Sequence, residues 1–176
     1  MDLKHFPTPI LGFCAFSGTG KTTLLTKLIP ILREQGIRLA IVKHAHHNFD
    51  VDHEHKDSYK LRHAGATQMV ISSSRRWALM TELEENKPEL SLVELIAQID
   101  HKIIDLILVE GFKRVPFPKI ELHRPSLGQP IMCIEDSNII AFASDAPCEV
   151  PEHMKRLDIN EPMEIATFIM HHFKLR

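Results

Sequence analysis

An apolar run at residues 10–16 passes through Ser17-Gly18-Thr19-Gly20-Lys21-Thr22-Thr23 into a helical pattern at residues 24–35, so a buried strand hands over to a helix across a glycine-rich turn. That order constrains the fold more than any other feature of the chain. Glycines at 18 and 20 let the backbone turn its N–H groups inward, and the helix that follows offers the positive end of its dipole. Lys21 is then placed to reach β- and γ-phosphates, and the Thr22 hydroxyl to meet a magnesium ion. The strict form of the motif has a first glycine where this chain has Ala15, a residue small enough to crowd the turn only slightly.

Composition narrows the class. A chain of 176 residues suits one domain with a full core and would cramp two, so a single domain over 1–176 is expected. Hydrophobic content of 44%, charged content of 25% and a net charge of −2 argue against a disordered or nucleic-acid-coating protein. The apolar run near the N-terminus falls far short of the ~20 residues that cross a bilayer, so neither a membrane nor a nucleic-acid partner is expected, and a cytoplasmic location is. Cys14, Cys133 and Cys148 are odd in number and widely spaced, which favours small buried hydrophobes over a disulfide framework or a thiolate zinc site.

Leu24, Leu25, Leu28, Ile29 and Leu32 recur at helical spacing up to Gly36, with Pro30 expected to kink the helix. Leu39–Lys43 reads as a short strand and residues 44–56 as a polar loop. Asp57 or Ser58 is a candidate cap for a helix ending at Gly65, and residues 67–72 and 77–81 read as a strand pair. Ser91 and Glu94 form a capping box ahead of an amphipathic helix. Residues 103–109 are the most apolar strand candidate, followed by short candidates at 119–122, 131–134 and 138–143, and Asn160 is a candidate cap for a last helix facing inward through Ile165, Phe168, Ile169 and Phe173. Alternation of strands and helices predicts an α/β fold of the P-loop NTPase type, with a mostly parallel twisted sheet and helices on both faces.

A phosphate loop that uses magnesium needs an acidic group at the tip of a neighbouring strand, opposite Thr22. Glu110 ends the apolar run and Gly111 permits a close turn, whereas Asp105 lies at the other end of the strand, about 17 Å away by strand rise. Glu110 is therefore the expected metal-side carboxylate; an acidic residue that merely ends a strand is the plainer alternative. Guanine-selecting GTPases usually carry an Asn/Thr-Lys-x-Asp string after a late strand, and none stands in that place. Asn86-Lys87-Pro88-Glu89 mimics the string too early in the chain. Asp145, directly after a strand candidate, is a better-placed nucleotide-binding residue, although aspartates after strands are also ordinary turn residues.

Between Lys43 and Asp57 lie five of the twelve histidines. In phosphate-loop proteins the segment after the second strand passes near the γ-phosphate, so Lys43, His44, His46 and His47 are candidates for phosphate, substrate or partner contact, and Asp50 and Asp52 for the metal ion. The same segment could instead bind Zn²⁺ or Ni²⁺ through its imidazoles, or be solvated polar chain.

Taken together, residues 16–25, Val42-Lys43-His44-Ala45-His46-His47, Asp50-Val51-Asp52, Lys56-Asp57-Ser58-Tyr59, Arg62-His63-Ala64-Gly65-Ala66, residues 76–81 and Leu106-Ile107-Leu108-Val109-Glu110-Gly111-Phe112-Lys113 resemble the molybdopterin-guanine dinucleotide biosynthesis protein B (MobB) family over about residues 10–147. The resemblance implies a GTP-binding adapter that assists MobA, the guanylyltransferase joining GMP to molybdopterin, with Mg²⁺ as co-ligand, molybdopterin or its molybdenum-bound form as a further contact, a homodimeric state and at most slow GTP hydrolysis. Related dimeric NTPases often carry a second lysine where this chain has Phe16, and Arg62, Arg75 and Arg76 read as solvated surface arginines. Two other classes share the loop. A metallochaperone GTPase would use the residues 44–55 segment for zinc or nickel, and a small-molecule kinase would show an acceptor-binding base and an arginine-rich lid, neither evident here.

Overall fold

Every residue of β1 (Ile10–Cys14) is buried, as a strand covered on both faces must be. The computed structural model describes residues 2–45, 49–84 and 88–176. Two compact units divide the chain, the first comprising the segment up to His44 together with Ser91–Arg176 and the second Ala45–Leu90.

The first unit holds β1, α1 (Lys21–Glu34) and β2 (Leu39–Lys43) and resumes at Ser91. In the second unit, α2 (Asp57–His63) precedes the hairpin β3 (Gln68–Ser72) and β4 (Trp77–Thr81), which pair antiparallel as a two-stranded sheet. The first unit continues through α3 (Leu92–Ile96), β5 (Leu106–Glu110), β6 (Lys119–His123), β7 (Ile139–Ser144), β8 (Lys155–Asp158) and α4 (Pro162–Phe173). Its six strands run in the order β2-β5-β1-β6-β7-β8 with every pairing parallel. Leu24, Leu25, Leu28 and Leu32 of α1 and Ile165, Ala166 and Ile169 of α4 pack on one face, against Leu11, Phe13, Leu108 and Ile120. Leu92 and Ile96 of α3 pack on the other face, against Ile10, Val42, Ile107 and Val109. The expected mostly parallel sheet with helices on both faces is thus found.

Several boundaries differ from those read in the sequence, each for a local reason. The apolar strand begins at Leu106 rather than 103, because Ile103 donates its N–H to Asp100 in a turn and is exposed. Residues 131–134 form a turn and not a strand: the buried Glu121 carboxylate accepts the Met132 and Cys133 N–H groups at 2.8 and 2.7 Å, removing them from any ladder. β8 escaped notice because Leu157 is its only buried residue. Helix α2 starts from Lys56 with no side-chain cap, and Asp57 instead places its charge in the positive first turn. Asn160 does not cap α4, since Glu161 holds that position and the Asn160 Oδ1 accepts from Arg124. The Ser91–Glu94 capping box is present as expected. Of the cysteines, Cys14 and Cys133 are buried, Cys148 is half-buried, and all three are free.

At the N-terminal edge of the sheet, Arg38 grips Asp105 through Nε (2.8 Å), Nη2 (2.6 Å) and its own backbone N–H (2.9 Å), tying β2 to β5. The guanidinium and the amide hold the Asp105 carboxyl down at about 2, from an ordinary 3.8. Because the folded value lies below the unfolded one, the folded state binds fewer protons, and the pair stabilises fully above the unfolded value. That stabilisation fades as pH falls from about 4 to about 2. An Asp105→Asn variant is expected to lose stability at neutral pH and to show a shallower acid limb over that window, as read by urea unfolding at stepped pH.

Candidate nucleotide-binding site

The turn between β1 and α1 is built so that its backbone, not its side chains, lines the opening. Gly18 and Gly20 take φ of +81° and +96°, left-handed conformations that side chains rarely adopt. The Thr19 hydroxyl donates to the Phe16 carbonyl at 2.9 Å and its side chain is buried, folding the loop on itself. Ala15 is also buried, filling the core where the strict motif has glycine. With Gly20 as N-cap and no side-chain cap, nothing competes for the orphan N–H groups of the first turn of α1. Lys21, Thr22 and Thr23 are the first three residues of that helix, and Ser17, Thr22 and Thr23 are exposed. The predicted loop residues Ser17, Gly18, Thr19, Gly20, Lys21, Thr22 and Thr23 therefore share one helix entrance. Phe16, standing where related NTPases carry a second lysine, has the Lys113 ammonium 4.9 Å from its ring centre, a cation–π contact.

Glu110 closes the other side. It is the last residue of β5, in parallel register with Phe13 of β1 and Lys43 of β2. Its carboxylate lies 3.7 Å from the Lys21 ammonium and 3.6 Å from that of Lys43, one lysine on each oxygen. These separations exceed a hydrogen bond, so the lysines are held by charge and remain exchangeable. Beyond Glu110 the chain turns at Gly111, φ +102°, where a Cβ would sit 2.7 Å from that of His44. His44 donates its N–H to the Glu110 carbonyl at 2.9 Å and lies tilted against Phe112, 5.1 Å between ring centres. Lys43, His44, Lys21 and Glu110 thus converge at the C-terminal ends of three adjacent strands, where open α/β sheets bind ligands. His46, His47, Asn86 and Lys87 lie outside the described residues.

On the far side of the loop, Asp145 follows β7 and pairs with Arg124. The same guanidinium donates from Nε to the Thr19 carbonyl at 3.0 Å and from Nη2 to Asn160 at 3.2 Å. Sequence reading overlooked Arg124; its only signal was an arginine between a strand candidate and Pro125.

Asp50 and Asp52 belong to the second unit, where both pair with Arg62, Asp52 at 2.7 Å, and Glu82 completes a trio of carboxylates. Arg62 is no solvated surface group: its side chain is only 9% exposed and its guanidinium lies 5.7 Å from the Tyr59 ring centre. The hydrogen bond from Arg62 lowers the Asp52 carboxyl below its usual range. Arg75 and Arg76 are exposed as expected. Among the described residues no three His, Cys, Asp or Glu side chains are grouped to hold a metal ion on their own. A cavity of about 670 Å³ lined by Thr8, Arg38, His101, Asp105 and Lys174 opens at the N-terminal edge of the sheet, the end remote from Lys21 and Glu110.

Residues 10–145 match the family model described as molybdopterin guanine dinucleotide synthesis protein B. A protein of Haemophilus influenzae named molybdopterin-guanine dinucleotide biosynthesis adapter protein is 46% identical over 168 residues, covering 94% of this chain and 91% of that one. Its namesake in Escherichia coli K12 is 48% identical over 163 residues, covering 92% and 91%. A crystal structure of molybdopterin-guanine biosynthesis protein B superposes with a TM-score of 0.69 at 29% identity, over 94% of this chain and 99% of that one. Bacillus subtilis MobB, at 23% identity, shares the fold with a TM-score of 0.72 over 96% and 99%.

Substituting Gly111 tests the tightness of this corner. Gly111→Ala combines a left-handed backbone with a Cβ overlapping His44, and a loss of about 1–3 kcal/mol is expected in urea unfolding.

Proposed function

Since the chain belongs to the molybdopterin guanine dinucleotide synthesis protein B family, we propose that it is an adapter in molybdenum-cofactor biosynthesis whose GTP·Mg²⁺ occupancy sets how it engages a MobA-type guanylyltransferase. The observation that carries the nucleotide reading is the pairing of Lys21 and Lys43 with opposite oxygens of Glu110 beside an uncapped helix entrance. Residues 1–176 act in this reading as a single GTP-binding domain.

Loop residues Ser17–Thr23 cradle the phosphates through their N–H groups, and Lys21 leaves Glu110 to reach the β- and γ-oxygens. The oxygen donors of Thr22 and Glu110 suit a hard divalent cation, which supplies charge neutralisation between the phosphates. With Lys21 on phosphate, the Glu110 oxygen it faces would be the carboxylate group to hold such an ion, Lys43 remaining on the other oxygen. Lys43 and His44 stand at the same strand ends and act as the phosphate-facing or partner-facing edge. Asp50 and Asp52 act as metal-side carboxylates only where a cation replaces Arg62 as their counter-charge, which makes Arg62 their placeholder. Asp145 serves the base side. Phe16 in place of a second lysine and the lack of an evident water-orienting residue are in keeping with slow hydrolysis at most.

A homodimer belongs to the same reading, and the second unit's hairpin supports it. Val70, Leu79 and Trp77 are exposed on a two-stranded sheet, an arrangement marginal in water on its own, and a second copy is the natural cover. No helix among the described residues is long and apolar enough to cross a membrane, which suits work in the cytoplasm beside MobA and molybdopterin.

Calorimetry tests the reading. Lys21→Ala is expected to weaken GTP·Mg²⁺ binding on the order of 10- to 100-fold, the value of a charged hydrogen-bonding partner. Glu110→Gln is expected to keep magnesium-free binding and lose the increment that magnesium adds. Equal GTP affinity in Lys21→Ala and the parent would end the nucleotide reading, and equal MobA affinity for loaded and empty protein would end the switch, because a ligand indifferent to two states shifts neither.

A further inference from the structure

In the sheet order β2-β5-β1-β6-β7-β8, the phosphate loop follows β1 and Glu110 ends β5, on one side of β1. On the other side, Arg124 follows β6, Asp145 follows β7 and Asn160 lies two residues past β8. Parallel strands deliver all three to the edge that carries the phosphate loop. For a nucleotide anchored by its phosphates at Lys21, with Glu110 and its two lysines on one side of β1, the strand ends of β6, β7 and β8 on the other side are the place for its sugar and base.

Arg124 is hydrogen-bonded to the phosphate loop, to the segment after β7 and to the segment after β8. Its Nε donates to the Thr19 carbonyl inside the phosphate loop at 3.0 Å, its Nη1 to Asp145 and its Nη2 to Asn160 at 3.2 Å. The chain of bonds continues: the Asn160 N–H donates to Asp158 at 2.7 Å, and the Asp158 N–H donates to Glu164 of α4 at 3.0 Å. A planar guanidinium can hold three acceptors in fixed directions, which an ammonium on a flexible stem cannot. Thr19 is buried and sits between Gly18 and Gly20, residues with no side chain to brace the turn. The Thr19 hydroxyl and N–H both turn back to the Phe16 carbonyl, while its own carbonyl points outward to accept from Arg124, which ties the turn to the strand ends beyond it. Asp145, with one carboxylate oxygen committed to Arg124, keeps the other for a donor on the base edge.

We propose that Arg124 is a positioning residue that couples the base-side loops at Asp145 and Asn160 to the phosphate loop, so that engagement of the purine sets the grip on the phosphates. The inference rests on the nucleotide reading above. Arg124 itself need not touch the ligand.

The test measures Kd for GTP, ATP and inorganic tripolyphosphate, each with Mg²⁺, for the parent, Lys21→Ala, Arg124→Ala, Arg124→Lys and the double variant Asp145→Asn/Asn160→Ala. In the parent, GTP is expected to bind more tightly than ATP and than tripolyphosphate. Arg124→Ala and Arg124→Lys are both expected to shrink the GTP advantage on the order of tenfold, with a smaller loss for tripolyphosphate. A merely structural arginine would weaken all three ligands in equal proportion, and that result overturns the proposal, as does full rescue by lysine. Should Arg124→Ala fail to fold, the double variant cuts the same two arms of the fork and is expected to weaken tripolyphosphate, which has no base to contact Asp145; unchanged tripolyphosphate affinity there overturns the coupling. If Lys21→Ala binds all ligands like the parent, the nucleotide reading itself has failed; if Lys21→Ala loses binding while the Arg124 variants keep the parent's ratios, only the coupling has.

Discussion

The parallel register of β2, β5 and β1 is the constraint on which the rest depends. It sets Glu110 level with Phe13 on one side and Lys43 on the other, and so delivers an acidic group to the mouth of the turn that starts two residues past Phe13. A half-buried carboxylate needs counter-charge, and Lys21 and Lys43 provide it from two different elements. Neither lysine is close enough for a hydrogen bond. At such separations the cluster is held together by charge alone.

The opposite flank is organised by β6, an unusual strand in that Lys119, Glu121 and His123, alternating along one face, are all buried. Burial of charge is tolerated because each finds partners: the Lys119 ammonium donates to the Lys113 and Val115 carbonyls and pairs with Asp136 at 2.8 Å, and Glu121 receives two backbone N–H groups. The stem of Lys119 crosses so close to β1 that a Cβ on Gly12 would fall 2.7 Å from its Cγ. Gly12 is thus a packing requirement on the strand that leads into the phosphate loop, and the loop between Glu110 and β6 is fastened by Lys119 through the carbonyls of residues 113 and 115. The β6 flank is thus fastened by buried, partnered groups, whereas the ion pairs at Glu110 are longer than hydrogen bonds.

Within the second unit, the Asp50, Asp52 and Glu82 carboxylates surround one nearly buried guanidinium. Three anions around one cation leave an excess of negative charge, and a segment so arranged is responsive to added positive charge. The charge imbalance is a property of the Asp50, Asp52, Arg62 and Glu82 cluster that composition alone could not supply.

Strand-turn-helix chemistry around Lys21, the capping box at Ser91 and Glu94, the strand at Leu39–Lys43 and the acidic strand end at Glu110 were all legible in the sequence, because each depends on residues within a few positions of one another. Hydrophobic periodicity likewise announced the parallel α/β architecture and the inward faces of α1 and α4. Pairings across long separations were not legible. Arg124 reaching back 105 residues to Thr19, Glu121 diverting residues 132 and 133 from a strand, Arg62 drawing in Asp50, Asp52 and Glu82, and the apolar-poor β8 all depend on which segments the sheet sets side by side. Local sequence determined where the backbone could turn and what it could bury; only the tertiary structure decided which charges meet, since electrostatic partners are chosen by distance in space and leave no periodic mark along the chain.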